Sequence, residues 1–102
     1  MFLRSAKIIF NKPLNHELYH LGLVCPEIAA NIQPGQFLMV RVRQTMDPLL
    51  RRPFAVHRLY PNDPPGSFEI LYKVVGKGTR LLTTIQQGDS LNLLGPLGRP
   101  NL

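Results

Sequence analysis

Apolar and polar residues alternate with a period of two along most of this chain, and proline or glycine cuts the alternation at short intervals. A period of two is the repeat of a β-strand, whose successive side chains point to opposite faces. The pattern predicts strands over Leu3 to Phe10, Glu17 to Val24, Phe37 to Arg43, Phe54 to about Leu59, Ser67 to Val75 and Ser90 to Leu94. Between them, Asn11-Lys12-Pro13, Pro26, Asn31-Ile32-Gln33-Pro34-Gly35, the proline-rich stretch Tyr60 to Gly66 and Gly95-Pro96-Leu97-Gly98 read as turns or loops. Pro34 presets φ for a turn and Gly35 tolerates a positive φ. Pro53 lacks an N–H for a sheet ladder, so the strand proper is expected to begin at Phe54.

One segment departs from the pattern. Leu81, Leu82 and Ile85 recur at helical spacing, which predicts a helix over Thr79 to Gln86, with Thr79 as its N-cap and Gly88 just past its end. Six short strands and one short helix point to an all-β, closed antiparallel barrel, a form that leaves no exposed sheet edge.

Length and composition narrow the function. At 102 residues the chain is one domain, 1–102. A single cysteine, Cys25, excludes an internal disulfide, and one thiol cannot hold an iron–sulfur cluster or a structural zinc. His16, His20 and His57 lack the spacing of a zinc site, so no protein-bound metal is expected. No apolar run reaches the ~18 residues of a membrane span, and the first residues lack the apolar stretch of a signal peptide. These features set the expectation of a cytoplasmic protein.

The net charge is +6, with Arg41, Arg43, Arg51, Arg52, Arg58, Lys73, Lys77 and Arg80 gathered in the middle of the chain against Asp47, Asp63 and Glu69. Such a field suits a phosphate-bearing ligand, or nucleic acid. Nucleic-acid barrels set aromatic platforms beside their basic residues, whereas Phe37, Phe54, Phe68 and Tyr72 fall at alternating strand positions and read as core. No nucleic-acid partner is therefore expected.

Two stretches carry candidate chemistry. In Leu50-Arg51-Arg52-Pro53-Phe54-Ala55-Val56, a proline stiffens the backbone behind an arginine, and a guanidinium held this way can clamp a pyrophosphate through paired hydrogen bonds. In Leu71-Tyr72-Lys73-Val74-Val75-Gly76-Lys77-Gly78-Thr79, a strand enters a glycine-rich turn that opens a helix, where unpaired N–H groups favour an anion. The spacing is not that of a Walker loop. Together the stretches suit a dinucleotide, its pyrophosphate bound and a flat ring set beside Tyr72 and Phe54.

These motifs, with Pro34-Gly35-Gln36-Phe37, Gly88-Asp89 and Leu94-Gly95-Pro96-Leu97-Gly98, occur in an order and spacing that resemble the ferredoxin-reductase-like flavoproteins. Among them, the electron-transfer subunits of bacterial dihydroorotate dehydrogenases are the most similar. The resemblance covers nearly the whole chain. It implies a six-stranded antiparallel Greek-key barrel that binds FAD. By the same resemblance, Arg52, Pro53, Phe54 and Ala55 lie along the flavin and its pyrophosphate. Leu71, Tyr72 and Lys73 line the flavin or ribityl chain, and Gly78 and Thr79 contact phosphate.

It also implies electrons entering as hydride from NAD(P)H in a following nucleotide-binding domain, and leaving through a C-terminal [2Fe–2S] cluster toward a catalytic dehydrogenase subunit. Neither that domain nor the cysteine cluster is present in these residues, so the chain is expected to be one part of an oxidoreductase, with no catalytic acid, base or nucleophile of its own. Two positions depart from the family pattern. Ala55 stands where serine is common, and Lys73 where arginine is frequent.

Overall fold

The computed structural model describes residues 1–33, 35–41, 52–62 and 64–100. Among them, six strands close into a barrel: β1 (Phe2–Pro13), β2 (Leu18–Val24), β3 (Phe37–Arg41), β4 (Arg52–Asn62), β5 (Pro65–Lys73) and β6 (Ser90–Leu97). Their order around the barrel is β1-β2-β5-β4-β3-β6, and every pair is antiparallel. Strands β3, β4 and β5 neighbour in sequence, and β6 returns to lie beside β3, which is the strand order of a Greek key.

The alternating rows fill the barrel. Leu21 and Leu23, Leu38 and Val40, Phe68 and Ile70, and Leu91 and Leu93 are 0–1% exposed. Each such side chain contributes about 1.5–3 kcal/mol by leaving water, so the inner rows fix strand register against a one-residue slip. A short helix, α1 (Pro26–Ala29), has Pro26 at its start and carries Ile28, fully buried, into the core cluster. Four residues are too few to show a helical period, and the sequence pattern placed only a stop at Pro26.

Strand limits differ from the alternation in physically instructive ways. Strand β1 continues through Asn11-Lys12-Pro13 because these residues still pair with Leu21, His20 and Tyr19 of β2. The turn follows at Leu14–Glu17, where the Asn15 side-chain oxygen accepts from the amides of Glu17 and Leu18, both at 2.9 Å. Strand β4 includes Pro53, opposite Met39, and runs on to Asn62, opposite Pro65. Strand pairing through Asn62 and Pro65 thus replaces most of the expected loop over Tyr60 to Gly66, of which Asp63 lies outside the described residues. Gly66 has φ +75°, and a Cβ there would come 2.7 Å from the Pro26 Cα, so the turn needs glycine on both counts. Gly35 also takes a positive φ, 92°, as its place in a turn predicts. Pro34, Val42 and Arg43 lie outside the described residues.

The second helix, α2 (Lys77–Leu82), starts and stops earlier than Thr79 to Gln86. Gly76 is its N-cap, and Thr79 is its third residue rather than its cap. The Thr79 hydroxyl reaches back to accept from the amides of Val75 at 2.9 Å and Gly76 at 3.1 Å. A side chain on the third helical residue thus satisfies amides before the helix, the reverse half of a capping box.

Candidate functional site

The register of β4 is the first element of the site. It pairs with β3 over Arg52 to Ala55, but with β5 only from Val56 onward. Among the described residues, the strand partners of Pro53 to Ala55 are therefore on β3. Pro53 fits this position because a proline is tolerated where the ladder needs no donor from it.

Antiparallel partners share a face, so Phe54, opposite Leu38, belongs to the inner row, and Pro53 and Ala55 to the outer row, while Arg52, the first residue of β4, is half-buried at the end of the strand. Phe54 is half-buried against the core, and Pro53 and Ala55 are exposed. Leu50 and Arg51 lie outside the described residues.

The end of β5 is the second element. Tyr72 is 2% exposed, its ring stacked on Tyr19 with centroids 5.5 Å apart and meeting Phe54 edge-on at 6.0 Å. Its hydroxyl donates to the Asn11 Oδ1 at 2.8 Å. Burial pushes the Tyr72 phenol far above the usual tyrosine range, and the bond to Asn11 offsets this only in part. The ring that the motif set beside a cofactor is thus turned into the barrel, because 68, 70 and 72 share the inner row. Leu71 and Lys73 take the outer row, and Lys73 lies 3.6 Å from the exposed Glu17 carboxylate.

The third element follows three residues after Lys73. Gly76 leads into α2, whose first turn-closing bond runs from the Arg80 amide to the Gly76 carbonyl at 2.9 Å. In such a helix the amides of Gly78 and Thr79 precede the ladder and have no acceptor within it. A Cβ on Gly76 would meet nothing within 4 Å, so the space before this turn is open. Gly78 and Thr79 are buried at its base.

The structure therefore brings Arg52–Ala55 and Leu71–Lys73 together through the Phe54–Tyr72 contact, and chain continuity carries the same surface to Gly76–Thr79. Sequence reasoning missed Asn11, whose side chain reaches both Tyr72 and the end of α2. An asparagine before Lys-Pro carries a turn signal, and only the β1–β2 register reveals its other use.

Comparison with known proteins identifies the barrel as a whole. A family model described as an oxidoreductase FAD-binding domain matches residues 6–101. The chain is 42% identical over 95 residues to the electron transfer subunit of dihydroorotate dehydrogenase B (NAD(+)) from Desulforamulus reducens, covering 93% of this chain and 36% of that protein. It is 47% identical over 98 residues to the subunit of the same name from Bacillus caldolyticus, covering 96% and 35%. The chain thus spans about a third of the length of these relatives.

Among solved structures, the NADH-dependent reduced ferredoxin–NADP oxidoreductase aligns with a TM-score of 0.84 at 27% identity, over 95% of this chain and 34% of that one. A ferredoxin–NADP+ reductase from Neisseria gonorrhoeae with bound FAD and NADP shares the fold, at a TM-score of 0.71 and 20% identity, over 89% of this chain and 36% of that one. Barrel topology, the Arg52–Ala55 segment of β4, the glycine turn into α2 and a family match over nearly every residue lead to one assignment: this chain belongs to the oxidoreductase FAD-binding domain family, the flavin barrel of ferredoxin-reductase type.

Proposed function

We propose that this barrel holds FAD across Arg52–Ala55, Leu71–Lys73 and Gly78–Thr79, as the flavin domain of the electron-transfer subunit of a dihydroorotate dehydrogenase. The observation that carries the reading is the junction just described: the Arg52–Ala55 segment of β4, in ring contact through Phe54 with the strand that runs directly into a glycine-opened helix. Arg52 would neutralise the pyrophosphate, with the amides of Gly78 and Thr79 as further donors. The Thr79 hydroxyl is engaged with Val75 and Gly76, so its amide is the better-placed donor. Pro53, Ala55, Leu71 and Lys73 offer the outer surface, while Phe54 and Tyr72 support it from within. Ala55 has no hydroxyl to offer a flavin ring and would act through its backbone.

Bound flavin supplies hydride and single-electron chemistry, and the protein positions it and tunes its potential. In this reading NAD(P)H held by a separate nucleotide domain would be the reductant and a [2Fe–2S] centre the route to a catalytic dehydrogenase subunit, and the residues of this barrel would hold and orient the flavin between them. The names of the relatives support it. The 0.84 alignment with a ferredoxin–NADP oxidoreductase favours, as a second reading, a ferredoxin-linked reductase built on the same barrel.

The test is a titration of the chain with FAD, with FMN as control, followed by flavin fluorescence and visible absorbance. Saturable binding that prefers FAD is expected. Arg52→Ala should weaken it by about ten- to a hundredfold, the range for losing a charge-assisted hydrogen bond of roughly 1.5–3 kcal/mol. Arg4→Ala, which removes a distant cation bonded to Glu27, should leave it unchanged. Equal losses in the two variants would refute the clamp.

A further inference from the structure

We infer that Asn11, on a strand that contributes no residue to the proposed FAD site, is a positioning residue that ties the phosphate-side helix α2 to the ring-side strand β5, so that the two halves of that site are set as one unit. The inference rests on the FAD reading above and adds to it a residue outside the family motifs.

The geometry is a three-bond bridge. Asn11 Nδ2 donates to the Leu82 carbonyl at 2.8 Å and to the Ile85 carbonyl at 2.9 Å. Its Oδ1 accepts from the Tyr72 hydroxyl at 2.8 Å. Both amide hydrogens and one oxygen lone pair of the side chain are used, and the bridge is partly buried. Leu82 is the last residue of α2 and its carbonyl also accepts from the Ile85 amide at 3.2 Å, so Asn11 clasps both ends of the turn that follows the helix.

Such an anchor matters because α2 has only six residues, too few to hold helical form unaided. Strand β1 grips the segment after α2 as well: the Ile8 amide donates to the Asp89 carbonyl at 2.9 Å, and the Gly88 amide to the Ile8 carbonyl at 3.0 Å. From Asn11 the bridge continues through the Tyr72 ring to Phe54, on the segment of β4 that pairs with β3.

Only an amide does this work. Aspartate has the same shape and can accept from Tyr72, but it has no N–H for either carbonyl. Leucine or alanine loses all three bonds. The same amide thus specifies the distance between the start of α2, where a pyrophosphate would sit, and the strand beneath the flavin ring.

The experiment compares Asn11→Asp, Asn11→Ala and Tyr72→Phe with Ile8→Val, a core variant on the same strand that touches none of the three bonds. Amide hydrogen exchange of Thr83, Thr84 and Ile85 is measured without flavin. FAD and FMN affinities and the visible spectrum of the bound flavin are then measured on the same samples. Both Asn11 variants should lose protection at these amides, weaken FAD by about tenfold and shift the flavin absorption band. Tyr72→Phe should lower the same protection to a smaller degree. Ile8→Val should lower overall stability without changing relative protection, affinity or spectrum.

If the Asn11 variants match Ile8→Val in FAD affinity and spectrum, Asn11 is a structural tie only and the inference falls. If Tyr72→Phe leaves exchange at 83–85 untouched, the two halves are not coupled through Asn11, and the inference falls whether or not flavin binds. A wild-type chain that ignores FAD while the exchange pattern holds would overturn the cofactor reading and keep the coupling.

Discussion

Gly22 and Gly76 should answer the same substitution, glycine to alanine, in different ways. Gly22 lies in β2 under the side chains of β1, and a Cβ there would come 2.3 Å from Phe10 Cε2, 2.6 Å from Phe10 Cδ2 and 2.8 Å from Ile9 Cγ1. Carbon atoms pack best at about 3.5–4.0 Å, so the Phe10 ring must swing out by more than an ångström. It would leave His20, whose ring centroid is 4.9 Å away, and the Lys12 ammonium, 5.8 Å from its centre. Overpacking of this kind costs about 1–3 kcal/mol, and the stiffer unfolded chain returns about 0.4–1 kcal/mol. A net loss of about 1–2 kcal/mol should lower Tm by roughly 5–15 °C.

Gly76 has extended backbone, φ −164° and ψ −171°, and open space around an added Cβ. Gly76→Ala should therefore leave stability nearly unchanged, because the stiffer unfolded chain returns about 0.4–1 kcal/mol and alanine, a poorer N-cap than glycine, costs a similar amount. If phosphate packs against this turn, the same methyl should cost FAD at least about tenfold in affinity, or roughly 1.4 kcal/mol. Urea unfolding followed by far-ultraviolet circular dichroism measures the first quantity, and FAD titration the second. A neutral Gly22→Ala would refute the steric argument. A Gly76→Ala that destabilises the barrel, or binds FAD as well as wild type, would refute the open cradle before α2.

Acid and alkaline limits test two further groups. The Arg4 guanidinium, bonded to both Glu27 carboxylate oxygens at 2.7 Å, holds the Glu27 carboxyl below its ordinary range. Its stabilisation is present at neutral pH and disappears as pH falls through that lowered value, so wild type and Arg4→Ala should differ in urea midpoint at pH 7 and converge at pH 3; a gap that persists at pH 3 would contradict this. Tyr72 works in the other direction: its folded phenol stays protonated above about pH 10, where an unfolded tyrosine ionises. Stability is complete below that pH and falls as pH rises, more steeply between pH 9 and 11 in wild type than in Tyr72→Phe, and equal slopes would count against the burial argument.

The inner rows were legible in the sequence because they obey one period. Leu21 with Leu23, Leu38 with Val40, and Phe68 with Ile70 and Tyr72 all face the core as their alternation predicts. The limits of strands were less legible because pairing partners, not local propensity, decide them. Pro53 enters β4 since, among the described residues, its strand partner lies on β3, and Asn62 remains in the strand since Pro65 stands opposite. Helix α2 was displaced because Gly76 caps it, and a glycine in a phosphate-like loop reads more readily as turn than as cap. Asn11 was invisible for a different reason: its three partners lie 61 to 74 residues away, and no local pattern encodes such a bridge.

The motif residues also divide into two kinds that a sequence string cannot separate. Alternation sends Pro53, Ala55, Leu71 and Lys73 to the outer row, and Phe54 and Tyr72 inward, although all six belong to the same two stretches. Residues of the first kind present their side chains outside the barrel. Those of the second kind decide where the first stand, as the Phe54–Tyr72 contact and the Tyr72–Asn11 bond do here. A substitution at Tyr72 should consequently resemble one at Asn11 more than one at Lys73, despite Lys73 being its neighbour in the chain. In the proposed site the physical unit is a face with its support, and through the Asn11 bonds that support would reach back to β1.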